Sequence, residues 1–236
     1  VNKKDIPWNE IHIPTKNCLK DVLENGKPST LKDEPSIEKP KVYVIAWTTT
    51  PWTLPSNTAL TVGKKIDYVV IKTYNQYTFD PVQVVLAKNL VEVQFGKKYF
   101  QVTEESELNK YTPDDKTIPY YLVAECKGAD LLETRYEQLL PYALPYENAQ
   151  NAFRVIAGDF VTTEDGTGIV HTAPTFGADD ALVAKLAKPE VPPMLVLEEH
   201  KNPAPLVDLQ GKFTSHMKEL AGKYVKDEYY EENEKP

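Results

Sequence analysis

Six consecutive apolar residues, Val42-Tyr43-Val44-Ile45-Ala46-Trp47, constrain the fold of this chain more than any other stretch. They are apolar at odd and even positions alike. Both faces of the strand they form need cover, which places it inside a sheet rather than at a solvated edge. Comparable runs follow. Residues 68–73 and 83–87 read as strands joined by a hairpin-like loop at 75–81. Residues 153–157 and 160–163 read as strands leading into Asp165-Gly166, a good hairpin turn. Residues 194–197 form another strand between proline-rich loops at 188–193 and 202–205. Helical periodicity is scarce: a short helix fits 178–188 and another 86–95, while 120–124 fits strand or helix. Residues 206–225 read as a strand, a turn at Gln210-Gly211 and a short helix. Many short strands with few helices and long loops predict an α+β, β-rich domain. It has a barrel-like core with short peripheral helices, not a doubly wound sheet.

The chain has 236 residues, of which 41% are apolar, enough to pack a core. Residues 42–230 are expected to form the main domain, with 1–41 as an entry arm or linker and 231–236 as an exit segment. The absence of an initiator Met and the polar end Glu231-Glu232-Asn233-Glu234-Lys235-Pro236 predict a piece of a longer protein. No apolar run is long enough for a bilayer and no signal peptide opens the chain, so no membrane and a cytoplasmic setting are expected. Cys18 and Cys126 lack metal-ligand spacing; buried thiols in a reducing compartment are expected, with a single disulfide left open. His12, His171, His200 and His216 form no zinc pattern. Gly166-x-Gly168 is too short for a dinucleotide loop and precedes a strand. The net charge of −8 argues against gripping a long duplex, yet it leaves room for a pocket that takes the end of one strand.

Two stretches carry chemistry. The apolar run leads into Thr48-Thr49-Thr50-Pro51-Trp52-Thr53-Leu54-Pro55-Ser56-Asn57. Thr50-Pro51 has the chemistry of a helix N-cap and first helical position, and Pro55 stops the helix quickly. Three threonines after a core strand are costly to bury without partners, so a polar site is the better explanation. The second stretch is Gly166-Thr167-Gly168-Ile169-Val170-His171-Thr172-Ala173-Pro174-Thr175-Phe176-Gly177-Ala178-Asp179-Asp180. It reads as turn, short strand, Pro/Gly loop and helix start. His171 ends the strand, and Asp179 and Asp180 sit in the first helical turn, where the helix dipole favours an ionised carboxylate. An Asp at a helix start is often only a cap, and a His at a strand end is often only hydrogen-bonded. Together the two stretches point to a site.

Both stretches match motifs of the editing domain of isoleucyl-tRNA synthetase, the insertion called connective polypeptide one, and the chain resembles that family over roughly residues 40–230. Lys127-Gly128-Ala129-Asp130-Leu131 and Tyr136-Glu137-Gln138-Leu139-Leu140-Pro141 are further landmarks, as are Pro205-Leu206-Val207-Asp208, Gly211-Lys212-Phe213 and Ala221-Gly222-Lys223-Tyr224-Val225. The His-Thr-Ala-Pro form of the second motif looks isoleucyl rather than valyl or leucyl. One departure is Thr175-Phe176-Gly177, where many bacterial members have Gly-His-Gly; it looks like the eukaryotic-type branch and leaves His171 and Asp180 in place.

The resemblance implies hydrolytic editing. A synthetic pocket cannot strongly reject a side chain smaller by one methylene, and the discrimination of isoleucine from valine by this very enzyme is the standard example. A second, smaller site takes the 3′ end of tRNA(Ile) carrying valine and cleaves the ester with water. Asp180 is implied to hold the substrate ammonium, with Thr48, Thr49 and Thr50 serving the ester, the oxyanion or the water. His171 lines the side-chain pocket and excludes isoleucine by size. Thr53 touches the valine side chain, while Trp52 and Asn57 shape the pocket or contact the adenosine. No metal is implied. The His-Ile-Gly-His and Lys-Met-Ser-Lys-Ser signatures are missing, so ATP and Mg belong to the remainder of the parent synthetase. The alternatives are a valyl-type domain clearing threonyl-tRNA, a module that binds the aminoacylated end without hydrolysis, and an insertion that only stabilises the parent.

Overall fold

In the computed structural model, which describes residues 42–198 and 202–226 and the backbone of 12–16, the apolar run at 42–47 enters the interior of a ten-stranded sheet. In chain order the first strands are β1 (His12–Lys16), β2 (Val42–Ile45), β3 (Ala59–Val62), β4 (Asp67–Tyr74) and β5 (Pro81–Ala87). After helix α1 (Val91–Phe95) come β6 (Tyr99–Gln101), β7 (Ile118–Lys127), β8 (Arg135–Tyr136), β9 (Arg154–Ala157) and β10 (Ile169–Thr172). Helix α2 (Ala178–Leu186) follows, then β11 (Val196–Leu197) and β12 (Pro203–Ala204). The large sheet has the order β10-β3-β9-β8-β1-β2-β5-β4-β7-β6, and β11 and β12 form a separate pair.

β2 runs antiparallel to β1 and parallel to β5. Val42, Val44 and Ala46 turn into one buried cluster, and Tyr43 and Ile45 pack against a second on the other face. Burial on both faces is why the run shows no polar alternation. Each fully buried aliphatic side chain of this kind contributes about 1.5–3 kcal/mol.

The α+β, β-rich expectation holds, but the core is not a closed barrel, since β10 and β6 lie at opposite ends of the strand order. The sheet does curl back on itself. Trp47, just past β2, bridges Val170 of β10, and its N–H donates to the Ile169 carbonyl at 3.0 Å. The exit of β2 thereby meets the strand that carries His171.

β3 lies between β10 and β9, antiparallel to the first and parallel to the second. Its register sets His171 opposite Leu60 and Thr172 opposite Ala59. α2 packs Val183 and Ala184 onto Ala59, Ile156 and Val191, leaving Leu182 and Leu186 exposed. The fully buried Arg154 of β9 secures the loop after α2. Its guanidinium pairs with the Glu133 carboxylate and donates to the Pro189 carbonyl, and its Nε–H donates to the Asn151 carbonyl at 3.0 Å. A buried charge is tolerable only with such partners.

Several local expectations change. Residues 160–163 form no strand: Asp159 and Phe160 occupy a turn, and the Val161 N–H reaches back to the Gly158 carbonyl. β-Branched residues alone do not make a strand where no neighbour is free to pair. The span 86–95 splits at Ala87, where β5 ends, into a 3-10 turn Lys88–Leu90 and α1. Residues 120–124 are strand, within β7. The strand expected at 194–197 is only Val196–Leu197. Residues 206–225 hold isolated bridges, Val207 with Phe213 and Lys212 with Tyr224, around the 3-10 turn Ser215–Leu220. Cys126 is a half-buried free thiol, pushed up to about 11 chiefly by burial. Cys18, His200 and the exit segment 231–236 lie outside the described residues. Of the expected entry arm, the described part, β1, pairs with β2 and β8.

Candidate functional site

The threonine-rich segment leaves the end of β2 and turns through a 3-10 helix, Pro51–Ser56, before feeding β3. Thr49 and Thr50 are exposed and Thr48 is half-buried, so the three threonines do not carry the cost of burial without partners. They form an open polar rim, and water meets part of their hydrogen-bonding need. Thr50 is the N-cap residue but makes no side-chain cap. Its carbonyl receives both the N–H and the hydroxyl of Thr53, at 3.0 and 2.8 Å. The Thr48 hydroxyl accepts the Thr50 N–H at 3.1 Å, which shapes the rim locally.

His171 is buried at the end of β10. Its Nε2 lies 2.9 Å from the Thr53 hydroxyl and its Nδ1 lies 2.8 Å from the Asn57 Nδ2. The proton of the Thr53 hydroxyl is committed to the Thr50 carbonyl, so that oxygen accepts from Nε2–H. Nδ1 accepts from the Asn57 amide. His171 is therefore the neutral Nε2–H tautomer. Burial pushes its pKa down to about 4, which keeps the ring neutral at ordinary pH.

Asp180 sits in the first turn of α2, and its Oδ2 accepts the Ala173 N–H at 2.8 Å. A Cβ on Gly177 would stand 2.9 Å from the Asp180 Cγ and 3.1 Å from its Cβ, so only glycine lets the carboxylate lie there. Burial raises its pKa above the usual value, against the pull of the Ala173 N–H, and neighbouring Asp179 adds to the rise. Burial therefore works against the ionised form that the helix start was expected to favour. Loss of solvent outweighs the one N–H that the carboxylate accepts.

Trp52 and Phe176 meet edge to face, 5.0 Å between ring centroids, and join the threonine-rich segment to the loop before α2. The two stretches, more than a hundred residues apart, are thus joined twice, through these rings and through Thr53 and His171. His171 and Asp180 do not share a hydrogen bond; each is held by its own partners.

Two residues of the site escape the sequence. Tyr136 donates from its hydroxyl to the Asn57 Oδ1 at 2.5 Å, and Phe176 forms part of the aromatic contact. Tyr136 stood inside a recognisable stretch, but its partner is 79 residues away and is chosen by the pairing of β8. For Phe176 the signal was the departure from a histidine at that position.

The site carries an open rim of hydroxyls, one half-buried carboxylate and one sealed neutral imidazole. Thr53 is not a nucleophile activated by the histidine, because its oxygen accepts a hydrogen bond from His171 Nε2–H, its hydroxyl donates to the Thr50 carbonyl, and the other ring nitrogen faces the Asn57 amide rather than a carboxylate. Among the described residues no three His, Cys, Asp or Glu side chains group as metal ligands, and no helix is long and apolar enough to cross a membrane.

No family model matches the chain. Its sequence is 53% identical over 193 residues to the isoleucine–tRNA ligase of Cytophaga hutchinsonii, covering 82% of this chain and 17% of that protein. It is 46% identical over 245 residues to that of Bacteroides fragilis, covering 94% and 20%. The ligase of Tetrahymena thermophila is 36% identical over 208 residues, covering 83% and 16%. Among solved structures, the editing domain of the P. knowlesi cytosolic leucyl-tRNA synthetase is similar with a TM-score of 0.45 at 12% identity, over 64% of this chain and 52% of that one. The chain thus spans about a fifth or less of the length of the ligases it matches. At this identity over most of its length, the chain belongs to the isoleucine–tRNA ligase family, of whose members it corresponds to one segment.

Proposed function

We propose that this segment is the editing domain of an isoleucyl-tRNA synthetase and hydrolyses valine from the 3′ end of tRNA(Ile). The observation that carries the reading is the double join between the threonine-rich turn and the loop that ends in Asp180. It ties the exposed hydroxyls of the threonine-rich turn to the strand and loop that lead into the helix carrying Asp180. Asp180 holds the α-ammonium of the bound aminoacyl group, and the charge-assisted pair orients the ester carbonyl toward the rim. Thr48, Thr49 and Thr50 donate to the developing oxyanion or hold the attacking water. His171 and Thr53 form the floor of the side-chain pocket, with Trp52 on its wall and Asn57 behind. Because Nε2–H and Nδ1 are both engaged, the imidazole limits size rather than moving protons. Water is the nucleophile and the freed products are valine and tRNA.

No cofactor is assigned to the segment. ATP and Mg serve the synthetic site elsewhere in the parent synthetase, which with the tRNA is the partner, in the cytoplasm. The test of the substrate class is deacylation of valyl-, threonyl- and isoleucyl-tRNA(Ile) in parallel. The reading requires loss of valine and sparing of isoleucine. Preferential loss of threonine instead would assign a valyl-type site, and capture without hydrolysis would assign a binding module.

A further inference from the structure

Asn57 has one orientation in this structure because it is held from both ends. Its Nδ2 donates to the Ala59 carbonyl at 2.8 Å and to His171 Nδ1 at 2.8 Å, with the Thr172 carbonyl at 3.4 Å. Its Oδ1 accepts the Tyr136 hydroxyl at 2.5 Å. A flipped amide would oppose its oxygen to the Ala59 carbonyl and lose the phenol proton. Tyr136, Asn57 and His171 are all buried, so none of these bonds can be exchanged for water. Burial also holds the Tyr136 phenol protonated far above its ordinary range, which keeps it a donor. Proton positions run one way along the chain, from Tyr136 to Asn57, from Asn57 to His171, from His171 to Thr53 and from Thr53 to the Thr50 carbonyl.

We propose that Tyr136 is a positioning residue of the editing site, which acts through Asn57 to hold His171 as the neutral Nε2–H tautomer and so fixes the floor of the side-chain pocket. The inference rests on the editing reading for its consequence, but not for its first readout. A wall that discriminates by about one methylene must not shift or rotate. A ring donating at Nε2 and accepting at Nδ1 has one orientation. The same ring with its tautomer free could turn over and change the pocket depth.

The test uses this chain labelled with ¹⁵N in its histidines, at neutral pH, with folding checked by circular dichroism. In the wild type the His171 nitrogens report Nε2–H and an unprotonated Nδ1. In Tyr136→Phe a fraction of the Nδ1–H form appears. In Asn57→Asp, where only acceptors face the ring, Nδ1 carries a proton in every molecule; this second variant keeps the test decisive should Tyr136→Phe fail to fold. A wild-type spectrum in either folded variant overturns the relay. Deacylation is the separate arm: Tyr136→Phe is expected to raise cleavage of the isoleucyl ester relative to the valyl ester by roughly tenfold, the scale of one hydrogen bond. A changed tautomer with an unchanged ester ratio upholds the relay and overturns the sieve role of His171.

Discussion

The Nε2 of His171 lies 2.9 Å from the hydroxyl of Thr53, and that hydroxyl donates to the Thr50 carbonyl at 2.8 Å. A strand end from one motif is thereby tied to the turn of the other. Thr53→Val keeps the shape and removes the acceptor. It leaves a buried imidazole N–H unpaired, at a cost of about 1–3 kcal/mol. Chemical denaturation of the variant is expected to show that loss, together with raised cleavage of isoleucyl-tRNA. Unchanged stability would mean that the Thr53 bond contributes nothing.

Acid should unfold this domain through His171. Its folded pKa of about 4 lies below the ordinary 6.5, so the folded state binds fewer protons than the unfolded state between these values. Stability is then fully present above pH 6.5 and is lost as pH falls toward 4, by about 3 kcal/mol in all. Urea midpoints across that window should fall for the wild type and flatten in His171→Gln. Parallel slopes in the two proteins would place the acid sensitivity elsewhere.

Asp180 behaves in the opposite sense. Burial raises its folded pKa, so its contribution to stability is present below the unfolded pKa and lost as pH rises through the folded one. Asp180→Asn keeps an acceptor for the Ala173 N–H and removes the ill-solvated charge. The variant is expected to be at least as stable as the wild type at neutral pH by thermal melting, yet inactive toward valyl-tRNA. In the wild type, deacylation should fail on acidification at a higher pH than an ordinary aspartate would dictate, visible in a kcat/KM profile.

Gly177 is needed for space rather than for backbone freedom, since its φ of −108° suits any residue. Gly177→Ala drives a methyl group against the Asp180 carboxyl and displaces it. A loss on the order of tenfold to a hundredfold in kcat/KM for valyl-tRNA is expected, with the melting temperature little changed. A fully active Gly177→Ala would show that the carboxylate has latitude in its position.

The sequence revealed what lies contiguous in it. The unbroken apolar run at 42–47 required cover on both faces, and β2 has it. Asp180 in the first turn of a helix followed from the Pro/Gly loop and the alanines after it. What the sequence hid depends on long-range pairing. The contact of Thr53 with His171 comes from the register of β3 on β10, and the reach of Tyr136 to Asn57 from the pairing of β8 with β9. Solvent exposure was not legible for the same reason. Whether Thr49 and Thr50 are covered depends on what the curled sheet brings over them, and it leaves them open. The ionisation of Asp180 likewise balances burial against one N–H, and only the folded chain sets that balance.

The central claim is that Asp180, in the first turn of α2, makes this segment a hydrolase for valyl-tRNA(Ile). The most direct measurement compares hydrolysis of valyl-tRNA(Ile) by the parent synthetase carrying this segment with that by the same enzyme carrying Asp180→Ala, with isoleucylation recorded in both. The account predicts that isoleucylation is unchanged while valyl-ester hydrolysis falls to the uncatalysed rate. Retention of hydrolysis in Asp180→Ala would contradict it and remove this carboxylate from the mechanism.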